Sequence, residues 1–362
     1  MKIIHSIFSF NVGGAETMLV DIINQQCKEA SVSLIIVNEK LNIDLLNTID
    51  KRVNVYLFNR KESDKMQLLS AFLKINQIVN EINPDVIHCH DNKLFPFFIR
   101  WKRKTCLTVH SVNLSVAFIK QYSKVFAISV AVQQNIKKLS GMNAQVVLNG
   151  IEIAQYKRRV KYDFDPKKDE FKIIQISRLT PKQKGQHIAI RAIRLLKEQN
   201  PGLNFKLYFV GSGEGLMELE ELAVQYAVRD QIVFEGTIDR NQIKNNLQNY
   251  HLLIQPSLVE GFGLTVVEGF ACGLPVVASD LDGPKEIIET LHSGLLVKPD
   301  DPADLAEKIK QIILLYVNKE INKQIVRTEE LSRFDVQTTA RNYIQSYPVQ
   351  RKIYFNESID NY

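Results

Sequence analysis

Short apolar runs rich in Val and Ile alternate along the chain with longer segments whose apolar residues recur at helical spacing. Lys2 to Ser9, Val32 to Val37, Val53 to Phe58, Asp85 to His90, Cys106 to His110 and Val125 to Ser129 read as strands, with helices predicted at Ala15 to Ala30 and Lys65 to Ile82. The alternation restarts after the charged stretch Lys157 to Glu170. Strands are predicted there at Phe171 to Ser177, Asn204 to Val210, Ile232 to Phe234, Leu252 to Gln255, Pro275 to Ala278 and Leu295 to Val297. Helices at Gln186 to Glu198, Glu214 to Ala227 and Pro302 to Val317 separate them. Strands apolar on both faces, each followed by a crossover helix, imply parallel sheets covered on both sides, and right-handed crossovers make each one doubly wound α/β. Two such units in series leave a cleft between them. Ligands of open parallel sheets bind beyond the carboxyl ends of the strands, so the loops after strands are where chemistry is expected.

Length agrees with that division: 362 residues at about 150 per domain give two compact units. With 45% hydrophobic and 24% charged residues and no low-complexity tract, the chain reads as globular. No run approaches the roughly 18 apolar residues of a membrane span. Met1 to Phe10 reads as a first strand, since it carries neither the charge nor the cleavage pattern of a signal peptide. Cys27, Cys89, Cys106 and Cys272 are scattered singly, which points to a reducing cytoplasm. Charge is divided unevenly. Residues 1 to 160 hold 21 Lys and Arg against 12 Asp and Glu, whereas the remainder hold 25 against 28, so the first unit should prefer an anionic partner or surface.

Three strand ends carry candidate chemistry. Asn11-Val-Gly13-Gly14-Ala-Glu16 joins the first strand to the first helix, where glycine lets backbone N–H groups and the positive helix end approach an anion or a sugar; a tight turn alone would use the same residues. In the second unit, Ser177-Arg178-Leu-Thr-Pro-Lys-Gln-Lys184-Gly185 aims two cations at a point where a diphosphate would sit and where charge would build on a leaving group. A solvated basic turn is the plain alternative. Gly211-Ser-Gly213-Glu-Gly215 follows the next strand but lacks the dinucleotide fingerprint, because position 216 is Leu. The third and most informative stretch is Pro256-Ser-Leu-Val-Glu260-Gly261-Phe262-Gly263-Leu264-Thr-Val-Val-Glu268. A loop carboxylate at Glu260 suits sugar hydroxyls, one on the following helix at Glu268 suits a ribose diol, and the amides from Gly261 to Leu264 add donors. Two surface glutamates by chance would look alike, yet Glu268 falls in an apolar helix where an unpaired charge costs several kcal/mol.

This segment resembles the Glu-x7-Glu signature of retaining glycosyltransferases with the GT-B fold, in particular glycosyltransferase family 4. The resemblance runs over nearly the whole chain, through Gly13-Gly14-Ala-Glu16, Thr108-Val-His110, Leu148-Asn149-Gly150-Ile151, Arg178 with Lys184-Gly185, and Glu260 with Glu268. It implies a GT-B architecture with an acceptor-binding domain at 1–160 and a nucleotide-sugar domain at 161–334. A final helix around Asp335 to Tyr347, within a segment 335–362, is expected to cross back onto the first domain. By the same resemblance Arg178 and Lys184 hold the donor diphosphate, Glu268 the ribose, and Glu260 with Gly261, Phe262, Gly263 and Leu264 the donor sugar, while His110 reaches a far hydroxyl. Gly13 and Gly14 close over phosphates or acceptor, with Glu16 and Asn149 in the same loops. Two departures stand out: Arg178 and Lys184 are one residue further apart than usual, and Asp282-Gly283-Pro284-Lys-Glu286 replaces a more common Gly-Gly pair.

The expected partners are a nucleotide sugar, UDP-linked before GDP-mannose, and a lipid-linked glycan of a surface polysaccharide such as capsule or O-antigen. Neither cofactor nor metal is expected. His88-Cys89-His90-Asp91 lacks obvious further ligands, and Asp163-Phe-Asp165 and Asp280-Leu-Asp282 lie outside the context of a metal-binding Asp-x-Asp. Phe95-Pro-Phe-Phe-Ile-Arg100-Trp-Lys-Arg-Lys104 joins aromatics to cations, a composition suited to an anionic membrane at the cytoplasmic face and equally to a packed helix with a basic last turn. Nucleic acid is not expected, since no binding motif accompanies the charge. A sugar-nucleotide epimerase or a non-catalytic sugar-nucleotide binder on the same fold are the competing readings.

Overall fold

The computed structural model describes residues 1–348, apart from 12, 113 and 114 and the side chain of Lys65. Residues 349–362 of the expected last segment lie outside it. Among the described residues, thirteen strands form two sheets. The first contains β1 (Lys2–Ile7), β2 (Ser31–Asn38), β3 (Asn54–Arg60), β4 (Val86–Cys89), β5 (Thr105–Val109), β6 (Lys124–Ala127) and the two-residue β7 (Gln145–Val146), in the order β3-β2-β1-β4-β5-β6-β7. The second contains β8 (Phe171–Ile176), β9 (Phe205–Val210), β10 (Ile232–Gly236), β11 (Leu252–Gln255), β12 (Val276–Ser279) and β13 (Leu295–Val297), in the order β10-β9-β8-β11-β12-β13. Every pairing is parallel. Strand order therefore reverses between β1 and β4 in one sheet and between β8 and β11 in the other, and each reversal opens a crevice.

Among the described residues, twelve α-helices accompany the strands: α1 (Gly14–Gln26), α2 (Ile43–Leu46), α3 (Lys65–Ile82), α4 (Val130–Ser140), α5 (Pro181–Lys184), α6 (Gln186–Gln199), α7 (Leu216–Gln225), α8 (Arg240–Asn246), α9 (Leu264–Ala271), α10 (Asp282–Leu291), α11 (Pro302–Val317) and α12 (Val336–Ser346). Local chemistry sets their ends. Asp64 accepts from the amides of Met66 and Gln67 to start α3, and Asn83 in the left-handed region stops it. Asp301 caps α11 in the same way, with Pro302 pre-set for the first turn. Buried Ile, Val and Leu from both sheet faces fill the cores. None of the described helices is long and apolar enough to cross a membrane.

At its end the chain returns to the first sheet. Ile151 bridges to Asp335, and a Cβ on Gly150 would lie 2.6 Å from the Asp335 carbonyl carbon, so the segment that leaves the first unit touches the one that comes back. From there α12 runs against α1 and packs Tyr343, with Tyr347 just after it, among Ile3, Met18, Val86 and Phe126.

The segment 95–104 differs from the lipid-facing expectation. Phe95, Phe97 and Phe98 are 2%, 5% and 0% exposed, because a 3₁₀ stretch (Asn92–Lys104) turns all three into the core beside α3. What faces outward is Ile99 with Arg100, Lys102 and Arg103. On α3 the solvent side carries a further apolar stripe, Met66, Leu69 and Leu73.

Candidate active site

The β8/β11 crevice holds the charged residues of the second unit. Lys184, last residue of α5, places Nζ 2.7 Å from Glu260 Oε2, and both side chains are largely shielded from solvent. Gln255, at the carboxyl end of β11, donates to the same Glu260 oxygen at 2.8 Å and receives the Thr265 hydroxyl at 2.7 Å. Glu260 is thus fixed by two donors, while Lys184 Nζ, with three N–H bonds, keeps donors for a ligand. Backbone packing puts Lys184 there. Gly185 has φ +69, and a Cβ on it would sit 1.9 Å from the Pro256 carbonyl oxygen, so the turn after α5 presses directly on the strand end that precedes Glu260. Arg178 is exposed and carries no ion pair among the described residues. Gly213 and Gly215, outside any dinucleotide fingerprint, leave room for the Arg178 loop: a Cβ on either would come within 2.4 Å of Leu179 or Pro181.

Across the cleft, the first unit supplies the opposing wall. A Cβ on Gly261 would lie 3.0 Å from the His110 carbonyl oxygen, and the Ser129 hydroxyl donates to the Gly261 carbonyl at 2.8 Å. Glu286 of α10 accepts the Val130 amide at 2.8 Å and so caps α4 from the other domain. Gly14, exposed at the start of α1, faces Leu264 at the start of α9. Burial pushes the Glu16 carboxyl above its ordinary range, against its own backbone amide and the Arg178 guanidinium, which favour the charged form. Gly263, at φ +98, precedes α9, and Phe262 is buried with its backbone pressed by Gly283. Asp282-Gly283-Pro284 therefore buttresses the Glu260 loop. Asn149 is buried in the crossing segment, with Oδ1 unpartnered among the described residues.

Glu268 looks the other way along α9. Its Oε1 accepts the Tyr156 hydroxyl at 2.8 Å, and burial raises its carboxyl above the usual range despite that bond and the nearby Arg240. Arg240 itself clasps Asp21 of α1, with Nη1 2.8 Å from Oδ1, and Lys244 lies 3.7 Å from Glu152. These groups tie α1, the crossing segment and α8 together under Glu268. Tyr156, Arg240 and Gln255 escape a reading of motifs; a polar residue closing the apolar strand Leu252 to Gln255 is the signal that marks the last of them.

His88 on β4 and His90 just beyond its end point to the same side, as their spacing requires, and parallel register with β1 adds His5. The three imidazoles have ligand nitrogens within 4.8 Å of one another. All six nitrogens are nevertheless engaged: His5 with Gln26 and His90, His88 with Tyr347 and Thr108, His90 with His5 and His110. A cation would have to break that network. Among the described residues neither Asp-x-Asp pair joins a ligand cluster, and Asp280 pairs with Lys285 at 2.7 Å.

Two doubly wound units that oppose their strand-end crevices across one cleft form the GT-B architecture, and matches to two glycosyltransferase domain families make the chain a glycosyltransferase of GT-B type. Residues 12–155 match the family described as Glycosyltransferase Family 4, and residues 157–328 match Glycosyl transferases group 1. Anabaena Alr3699/HepE, crystallised with UDP and glucose, superposes with a TM-score of 0.78 over 95% of this chain and 98% of its own, at 24% identity. The phosphatidylinositol N-acetylglucosaminyltransferase gpi3 subunit of Schizosaccharomyces pombe is 25% identical over 297 residues, 74% of this chain and 62% of that protein. WcaL of Escherichia coli, whose name assigns it to colanic acid biosynthesis, is 32% identical over 167 residues, 44% of this chain and 39% of that protein. The match to these two thus spans less than two thirds of their length.

Proposed function

We propose that the protein moves a hexose or N-acetylhexosamine from a nucleotide sugar, UDP-linked before GDP-linked, to a sugar hydroxyl of a lipid-linked glycan, with retention of configuration. The observation that carries this reading is the Lys184–Glu260 pair in the switch-point crevice, with Arg178 exposed at the start of the loop that leads to Lys184 and in no ion pair among the described residues. In it, Arg178 and Lys184 bind the diphosphate and neutralise the charge that accumulates as the bond from the anomeric carbon to phosphate oxygen breaks. Glu260 and the backbone from Gly261 to Leu264 hold the sugar, His110 accepts a far hydroxyl, and Glu268 holds the ribose. Gly13 and Gly14 bring the start of α1 over the phosphates, with Glu16 and Asn149 toward the acceptor. The acceptor oxygen enters on the face the phosphate leaves, and the leaving phosphate takes its proton. Cations at the phosphates give the site its own electrostatic stabilisation, so turnover is expected to persist in EDTA.

The lipid-linked acceptor is supported by the cationic excess of residues 1–160, by the outward Ile99, Arg100, Lys102 and Arg103, and by the Schizosaccharomyces pombe relative, named for phosphatidylinositol; WcaL, named for colanic acid biosynthesis, supports the polysaccharide part of the reading. Two substitutions test the division of labour. Glu260→Ala is expected to lower kcat by roughly 100-fold or more with free UDP binding nearly unchanged, whereas Arg178→Ala is expected to weaken UDP binding itself by about tenfold or more. Normal turnover by Glu260→Ala would remove the central assignment.

A further inference from the structure

The buried histidines of the first sheet form a line, and the line has a direction. Gln26, fully buried at the end of α1, donates from Nε2 to the Tyr347 hydroxyl at 3.1 Å and presents Oε1 to His5 Nε2 at 2.8 Å. His5 Nδ1 lies 3.0 Å from His90 Nε2, and His90 Nδ1 lies 3.0 Å from His110 Nε2. His110 Nδ1 ends the line, buried and without a partner among the described residues. A carbonyl oxygen can only accept, so His5 carries its hydrogen on Nε2 and offers a lone pair at Nδ1. His90 must then donate from Nε2, and His110 must donate from Nε2 in turn. Burial holds each ring neutral, lowering His5 and His110 to about 4 and His88 and His90 well below their ordinary value, so each has a single N–H and the direction is kept from end to end.

We propose that this relay fixes His110 in the Nε2–H tautomer, leaving Nδ1 as a lone-pair acceptor for a hydroxyl group of the bound sugar, with Gln26, His5 and His90 as positioning residues. The opposite direction would bury an orphaned N–H at His110 Nδ1, which costs more than an under-used lone pair. Thr108 gives its hydroxyl hydrogen to Tyr343 at 3.2 Å and so accepts from His88 Nε2 at 2.7 Å, which leaves His88 Nδ1 to accept the Tyr347 hydrogen at 2.9 Å and the Tyr347 oxygen to receive Nε2–H of Gln26, holding that amide in place. The segment that returns from the second domain thereby reaches the cleft through four side chains. Such an acceptor recognises a neutral sugar bearing O–H and disfavours the deoxy or O-methyl analogue at that carbon.

The inference rests on the proposed role of His110 only for the identity of the ligand; the tautomer is a property of the free protein. ¹⁵N–¹H long-range correlation on histidine-labelled free protein is expected to show His110 protonated at Nε2 and bare at Nδ1, and Gln26→Met is expected to mix the tautomers while circular dichroism stays unchanged. A protonated Nδ1 in the wild type would overturn the proposal, and so would an unchanged His110 tautomer in a folded Gln26→Met protein. Should that variant fail to fold, the wild-type spectrum decides alone. In turnover, Gln26→Met is expected to lower kcat about tenfold, the worth of one misplaced hydrogen bond, with KM little altered. If His110→Ala turned over like wild type while the spectra behaved as described, the sugar-binding role would fall and the relay would stand.

Discussion

The two carboxylates of the Glu-x7-Glu stretch face different surroundings although they share one loop and helix. Glu260 sits between the Lys184 ammonium and the Gln255 amide, whereas Glu268 is held by Tyr156 deep beside Arg240. Spacing along the chain reveals the pair; only folding reveals the partners, since Gln255, Tyr156 and Arg240 come from separate elements. The same holds for His5, which joins His88 through the β1/β4 register and not through any motif. Its burial has a measurable consequence. In the folded protein His5 titrates at about 4, against an ordinary 6.5, so above 6.5 it is neutral in both states and below that the unfolded chain takes up a proton first. Stability from His5 is therefore present above pH 6.5 and lost as pH falls toward 4, by on the order of 3 kcal/mol. Glu16 and Glu268, raised by burial, shift in the opposite sense, so a comparison isolates the effect. Urea unfolding of wild type and His5→Gln is expected to show a stability gap that shrinks across that window; a constant gap would contradict the account.

At the scale of elements, the crevice depends on close backbone contact between the α5 turn and the end of β11. Gly185→Ala sets a Cβ against the Pro256 carbonyl at positive φ, and is expected to cost about 3 kcal/mol or more, read as a lowered Tm. Survival of Tm would show that the turn yields without loss. Elements with strong internal signals were legible beforehand: α3 and α11 fall where helical periodicity and their caps place them, and Leu252–Gln255 and Leu295–Val297 match as strands. Weak or mixed signals were not. Gln145–Val146 is too short to carry a pattern, and the Phe95-Pro-Phe-Phe run looks alike whether it meets lipid or core. Burial by α3 decided that question, a tertiary effect with no local trace.

Over the whole molecule, parallel pattern and its restart after the charged stretch Lys157 to Glu170 suffice for two doubly wound units, whereas the closeness of their approach is not legible. Ser129 with Gly261, Glu286 with Val130, and Arg240 with Asp21 draw the walls together. Charge asymmetry belongs to this scale as well. With the phenylalanines buried, the proposed contact with lipid would fall to Ile99, its neighbouring cations and the Met66-Leu69-Leu73 stripe, which are what the surface exposes there. Sedimentation with anionic liposomes is expected to show binding that weakens from low to high salt and is reduced by Arg100→Glu/Arg103→Glu; salt-independent absence of binding would leave these residues a solubilising role.

The central claim is transfer from a nucleotide sugar by residues of this cleft. Its most direct test is mass spectrometry of the protein incubated with a panel of sugar nucleotides in EDTA, reading free nucleotide and any sugar isomer. Release of one nucleotide from one donor, abolished in Glu260→Ala, is the expected result; formation of an isomer without nucleotide release would contradict it and identify an epimerase.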